Sequence, residues 1–166
     1  MNDENRARVP AQRTSAGGCV VPLRLWAVVA PGVSVGLEGR LRYTPADPYA
    51  VFLDCQVNQG RPITWTFARD LLEEGLTGWA GAGRVCVRPA VDGDSQVVVI
   101  SLTGEGVTVH LQAPRAPVAD FLAGTKHIVP VGNEHRHLDL DLKLERLRTA
   151  EPPEPPEPPD SPDPGR

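Results

Sequence analysis

The stretch EHRHLDLDLK (134–143) gathers more chemistry-bearing side chains than any other in the chain. On an extended strand His135, His137, Asp139 and Asp141 would share one face, and imidazole with carboxylate suits a divalent cation. One strand rarely closes a metal site by itself, and no second His or Cys cluster accompanies this one. The segment therefore reads as a polar face opposite Leu138, Leu140, Leu142 and Leu144. Asp70, Glu73 and Glu74 form a second candidate group. On a helix they share one side, but acids in a first turn more often balance the helix dipole than transfer protons. His110 falls on the polar side of a strand and His127 in a loop. The chain has no GxSxG, no HExxH and no glycine-rich loop opening a helix. The expectation is a protein that is not an enzyme, with no catalytic residue, no metal and no cofactor.

Two other chemistries are weighed the same way. Cys19, Cys55 and Cys86 are odd in number and lack CxxC spacing, which argues against a disulfide framework or a zinc site and for reduced thiols. Trp26, Trp65, Trp79, Phe52 and Tyr49, with Arg24, Arg40, Arg42, Arg69, Arg84 and Arg88, would make a stacking groove for single-stranded nucleic acid if they converged. Trp65 and Phe67 alternate with threonines, however, which is the pattern of core residues. The formal charge of −4 belongs to the last residues, where Glu151, Glu154, Glu157, Asp160 and Asp163 face only Arg166. The rest is formally neutral, which argues against duplex DNA or anionic lipid as the main partner. The start carries no apolar stretch suited to a leader, and CVVPLRLWAVVA is broken by Pro22 and Arg24 and is too short to span a bilayer. A cytoplasmic protein without membrane insertion is expected.

The elements that position these residues are mostly strands. Period-two alternation marks 21–29, 35–43, 50–57 and 63–67, then 83–89, 96–102 and 106–113. Val21, Leu23 and Leu25, then Val35, Leu37, Leu41 and Tyr43, then Val51, Leu53, Cys55 and Val57, then Ile63, Trp65 and Phe67 should face the core. Helices are expected over ARDLLEEGLT, directly after the fourth strand, and over PVADFLAGT, with Pro117 in its first turn. A further helix is expected from about Asp141 to Thr149 after a short extended entry. Hairpin-length links imply antiparallel pairing. Domain bounds follow from composition: a polar disordered arm over 1–18, a domain over 19–150, and a tail over 151–166. The tail, EPPEPPEPPDSPDPGR, lacks the donors for helix or sheet and favours an extended polyproline rod. It reads as an acidic solubilising tail or a docking segment.

Taken together, LRYTPADPYAV (41–51), WTFARDLLEEGL (65–76), GRVCVRP (83–89), LQAPRAPVADFLAGT (111–125) and VPVGNEHRHLDLDLKL (129–144) closely resemble the SsgA-like proteins, a family of actinobacterial sporulation and cell-division regulators. The likeness spans about residues 20–148, and the arm and EPP tail exceed the compact family pattern. The resemblance implies an α+β, whirly-like fold of two antiparallel sheets with helices, a strand meander and helix repeated twice, assembling as a trimer. It implies an adaptor at division septa, acting through the machinery that recruits the tubulin-like protein FtsZ or through septal wall enzymes. A single-stranded nucleic-acid binder on the same fold is the alternative. The residues expected to meet a partner are Arg42, Tyr43, Asp47 and Tyr49 around the RYTPADPYAV corner, and Arg69, Asp70, Glu73 and Glu74 on the outer side of the first helix. Trp65 is expected to be a core anchor whose truncation unfolds the domain.

Overall fold

The structure, a computed structural model, describes residues 12–13, 17–57 and 60–138. Within the expected arm, β1 (Gln12–Arg13) pairs with the start of β2 (Cys19–Ala30). β2 then forms a long antiparallel hairpin with β3 (Val33–Tyr43). Pro31 and Gly32 close it. Proline presets φ at the first corner position, and Gly32 takes φ of 72°, a left-handed value that a side chain resists. The chain returns through β4 (Ala50–Gln56) and β5 (Ile63–Ala68), which passes without a loop into helix α1 (Arg69–Glu74).

Packing accounts for that abrupt corner. Ala68 is still extended, and the next backbone amide, of Arg69, donates to the Tyr49 carbonyl at 2.7 Å. The sheet edge thus satisfies one of the amides that a helix start leaves open. Phe67 and Leu72 occupy the positions of a hydrophobic staple on either side of the helix start, and both join the core. α1 is shorter than the ten residues expected. Leu76, Thr77 and Gly78 continue it only as hydrogen-bonded turns. Gly75 lies so close to β6 (Val85–Asp92) that a Cβ there would sit 2.2 Å from Val87 Cγ1. β7 (Ser95–Gly104), β8 (Val107–Pro114), helix α2 (Arg115–Ile128) and a 3-10 turn over Glu134–His137 complete the described chain.

All pairings are antiparallel, in the order β5-β4-β3-β2-β8-β7-β6. The architecture is α+β, a curled antiparallel sheet with two helices. Two sheets were expected; the strands instead form one. Its halves meet through β2 and β8 over Trp26–Gln112, Ala27–Leu111 and Val28–His110. Alternation reports which face a residue takes, not which strands pair, so the junction is invisible in sequence. The curl brings the two outer strands together. Trp65 on β5 lies under the guanidinium of Arg84, 5.8 Å from its ring centre, and a Cβ on Gly104 would be 3.5 Å from its ring.

The helices cover one end of the concave face. Val21, Leu23, Leu25, Leu41, Tyr43, Val51, Leu53, Cys55 and Phe67 are buried there as expected, with Leu72, Ile100, Phe121 and Leu122. Val35, Val57 and Ile63 are exposed instead of buried. Their strands run past the helices, so the correct face lacks a second layer at that end. The expected extended entry at 134 is also corrected: Glu134–His137 is a 3-10 turn, held because Glu134 inserts against Arg69. His135 and His137 therefore do not alternate as on a strand. Asp139, Asp141, the helix expected over 141–149 and the EPP tail lie outside the described residues.

Candidate protein-interaction surface

The RYTPADPYAV corner is built from its own hydrogen bonds. The Ala46 amide donates to Thr44 Oγ1, the Asp47 amide to the Thr44 carbonyl and the Ala50 amide to the Asp47 carbonyl. Tyr43 turns inward, and its hydroxyl donates to the Pro48 carbonyl at 3.0 Å. Tyr49, the other tyrosine, points outward and is 48% exposed. Tyr49 also accepts the Arg69 amide, which ties the corner to the start of α1.

Arg69 does not stand on the outer side of α1, as was expected. It is 1% exposed. Its guanidinium donates to Tyr43 Oη at 3.3 Å, to the Val129 carbonyl at 2.8 Å and to the Glu134 carboxylate. It also lies over the Tyr43 ring. A charge this deep persists only when paired and hydrogen-bonded, and the planar five-donor fork of arginine supplies several directed bonds at once. Arg69 and Tyr43 thus face the interior. Burial, outweighing the charge of Arg69, pushes the pKa of the Tyr43 hydroxyl up from its ordinary value.

The other expected contact residues divide between two faces. Asp47 is half-buried at the corner; Tyr49, Asp70 and Glu74 are exposed. Glu73 is half-buried against Lys126 of α2. Through the Tyr49–Arg69 backbone bond, the exposed Tyr49 lies beside the start of the helix that carries Asp70, Glu73 and Glu74. Arg42 lies apart, on the outward face of β3. There its Nε and Nη2 donate to Asp54 at 2.7 and 3.0 Å, while Arg40 Nε and Thr64 Oγ1 each donate at 2.7 Å. Asp54 is 3% exposed, roofed by these partners, and the Arg42 hydrogen bond holds its carboxyl well below the usual carboxylate range.

The nucleic-acid groove does not assemble among the described residues. Trp65 faces inward and packs against the core, Phe52 lies under Arg42 on the opposite face, and Trp79 stands out on the α1–β6 loop. Arg24 pairs with Glu38, and Arg40 and Arg42 converge on Asp54, so much of the positive charge on that face is neutralised internally. No grouping of three or more His, Cys, Asp or Glu side chains suited to a metal ion occurs among the described residues. Sequence reasoning missed the Asp54 cluster and the Arg69–Glu134 pair. The outward alternation of Arg40, Arg42 and Asp54 was a usable signal for the first, once strand register is known. Nothing local marks the second, whose partners are 65 residues apart.

Comparison with known proteins adds the decisive observation. Residues 37–134 match the model of the family described as Streptomyces sporulation and cell division protein, SsgA. The chain belongs to the SsgA-like family. The resemblance read from RYTPADPYAV and WTFARDLLEEGL is thereby established. Among its relatives, the sporulation-specific cell division protein SsgB of Streptomyces coelicolor is 40% identical over 129 residues, 78% of this chain and 93% of the relative. SsgB of Saccharopolyspora erythraea is 42% identical over 123 residues, 74% of this chain and 85% of the relative. Two solved structures share the fold. One comes from work on mutations in SsgB that correlate to longitudinal cell division during sporulation of Streptomyces coelicolor; its TM-score is 0.69 at 38% identity, over 75% of this chain and all of the other. The other, an SsgA-like sporulation-specific cell division protein of Thermobifida fusca, has a TM-score of 0.71 at 32% identity, over 81% of this chain and 98% of the other. This SsgA-like chain accordingly has a role in sporulation cell division. No helix among its described residues is long and apolar enough to cross a membrane.

Proposed function

We propose that this SsgA-like chain is a non-catalytic adaptor of sporulation-specific division. It places septum-forming or peptidoglycan-remodelling machinery through protein–protein contacts, at cytoplasmic positions along the division septum, as a homotrimer of whirly-type subunits. The observation that carries the reading is the exposed set Tyr49, Asp70 and Glu74, anchored to a buried Arg69–Glu134 pair. Exposed tyrosine beside fixed charge is a common contact chemistry, and rigid backbone beneath it lowers the entropy lost on binding. The acidic character favours a basic partner surface, whether on the FtsZ-recruitment machinery or on a septal wall enzyme.

The test is a Tyr49→Ala, Asp70→Lys, Glu74→Lys variant used as bait in extracts of sporulating cells. All three side chains are exposed, so the melting temperature should stay near that of the parent. Recovery of division proteins should fall about tenfold, as expected when interface anchors are lost. Undiminished recovery of the same division proteins by the folded variant would refute this surface, and turnover of peptidoglycan fragments by the purified protein would refute the non-catalytic reading.

A further inference from the structure

One groove lies outside the surface just described. It has a volume of about 570 Å³ and runs between the end of α1, β6 and the start of α2. Leu76, Pro89, Ala90 and Val91 form its apolar walls, and Gln96 and Arg115 its polar margin. Val91 is 73% exposed. Arg115 is held at its own end of the groove by a 3.3 Å hydrogen bond from Nε to the Leu76 carbonyl, and its terminal nitrogens remain for a further acceptor.

We propose that the acidic proline-rich segment 151–166 of this same chain docks in this groove. A polyproline helix has three residues per turn, and the repeat EPPEPPEPP also has a period of three. In that conformation Glu151, Glu154 and Glu157 would align along one edge, with prolines along the other two. Prolines match the apolar walls formed by Leu76, Pro89, Ala90 and Val91, whose exposed surface a proline face would cover. The glutamate edge matches Arg115, the one charged residue of the lining. Asp92 and Asp94 follow Val91 into the next turn, so the favourable potential lies on the Arg115 side.

The reach is sufficient. The described fold ends at Leu138, after Glu134, which is bound beside Val129 at the C-terminal end of α2. The groove lies at the other end of that 14-residue helix, about 20 Å away at 1.5 Å per residue. The twelve residues from Asp139 to Ala150 would span about 24 Å with the helix expected over 141–149, and up to about 40 Å if extended, so either covers the distance.

The test compares amide NMR spectra of the full chain with those of a full-length Glu154→Arg, Glu157→Arg variant. The expected result is a set of shift changes at the groove residues Thr77, Val91 and Gln96, with the rest of the fold unchanged. Arg115→Glu should displace the same signals, and combining it with the tail variant should restore the parent positions. Superimposable spectra at those three positions, or changes confined to other residues, would overturn the proposal. Shifts that grow with protein concentration would assign the contact to the tail of a second copy and overturn docking within one chain. Should Arg115→Glu fail to fold, the tail variant alone decides, since it alters nothing in the described fold.

Discussion

A carboxylate is stable beneath a sheet surface only when donors replace the water it has lost, and Asp54 has Arg40, Arg42 and Thr64 in that role. The sign of its pH effect follows. The hydrogen bond from Arg42, aided by Thr64 and Arg40 and opposed by burial, puts the folded pKa below that of the unfolded chain. The resulting stability is complete above about pH 5 and is lost as pH falls below about 4, toward the folded value. Asp54→Asn should therefore lower stability by about 1–3 kcal/mol at pH 7, discounted because both arginines reach solvent. Urea midpoints measured from pH 7 to pH 3 should fall less steeply for the variant than for the parent. The thiols give a second residue-scale expectation. Burial pushes Cys19 and Cys55 up to about 11, so neither presents a thiolate near neutral pH. A thiol-reactive dye should label Cys86 rapidly in the folded protein and the other two only on unfolding.

Three elements converge on one guanidinium. Arg69 begins α1, bonds the carbonyl that follows α2 and pairs with the 3-10 turn after it. Removing one partner strands a buried charge, so Arg69→Met or Glu134→Leu alone should cost about 3–5 kcal/mol. The double variant should lose less than the sum of the singles, since no charge is left unpaired. Arg69→Lys should rescue poorly, because a point charge cannot make bonds to Tyr43, Val129 and Glu134 together. Denaturant unfolding of the parent and these four variants measures all of this. Additive losses in the double variant would mean that the pair is not coupled.

At the scale of the whole molecule, curling decides which apolar residues count. Trp65 was expected to be a core anchor, yet it is only half-buried and instead spans the seam between β5 and the β6–β7 edge, beneath Arg84. Trp65→Ala should thus leave a folded protein with a lower melting temperature, losing about 2–3 kcal/mol rather than the larger amount a fully enclosed ring would give. Calorimetry checks this; an unfolded variant would mean that seam closure is essential to the sheet. The same curl leaves Val33, Val35, Val107 and Val109 exposed on the sheet end that the helices do not reach.

Much of this was legible in the amino-acid order. Period-two alternation from Val21 to Leu25 and from Val51 to Cys55 reports the buried face, because side chains of a strand must alternate. RYTPADPYAV and WTFARDLLEEGL reported the family, and ITWTFARDLL its loopless corner, because these patterns are local. What stayed hidden depends on register between distant strands. Alternation said that Arg40, Arg42 and Asp54 face outward, but only the β3–β4 pairing of Arg40 with Asp54 makes them one cluster. Arg69 sits among the charged residues of RDLLEE and reads as a surface cation. Only the return of the chain to Glu134 supplies the partner that lets it go inside, since burial of a charge is decided by what arrives opposite it and not by its neighbours in sequence.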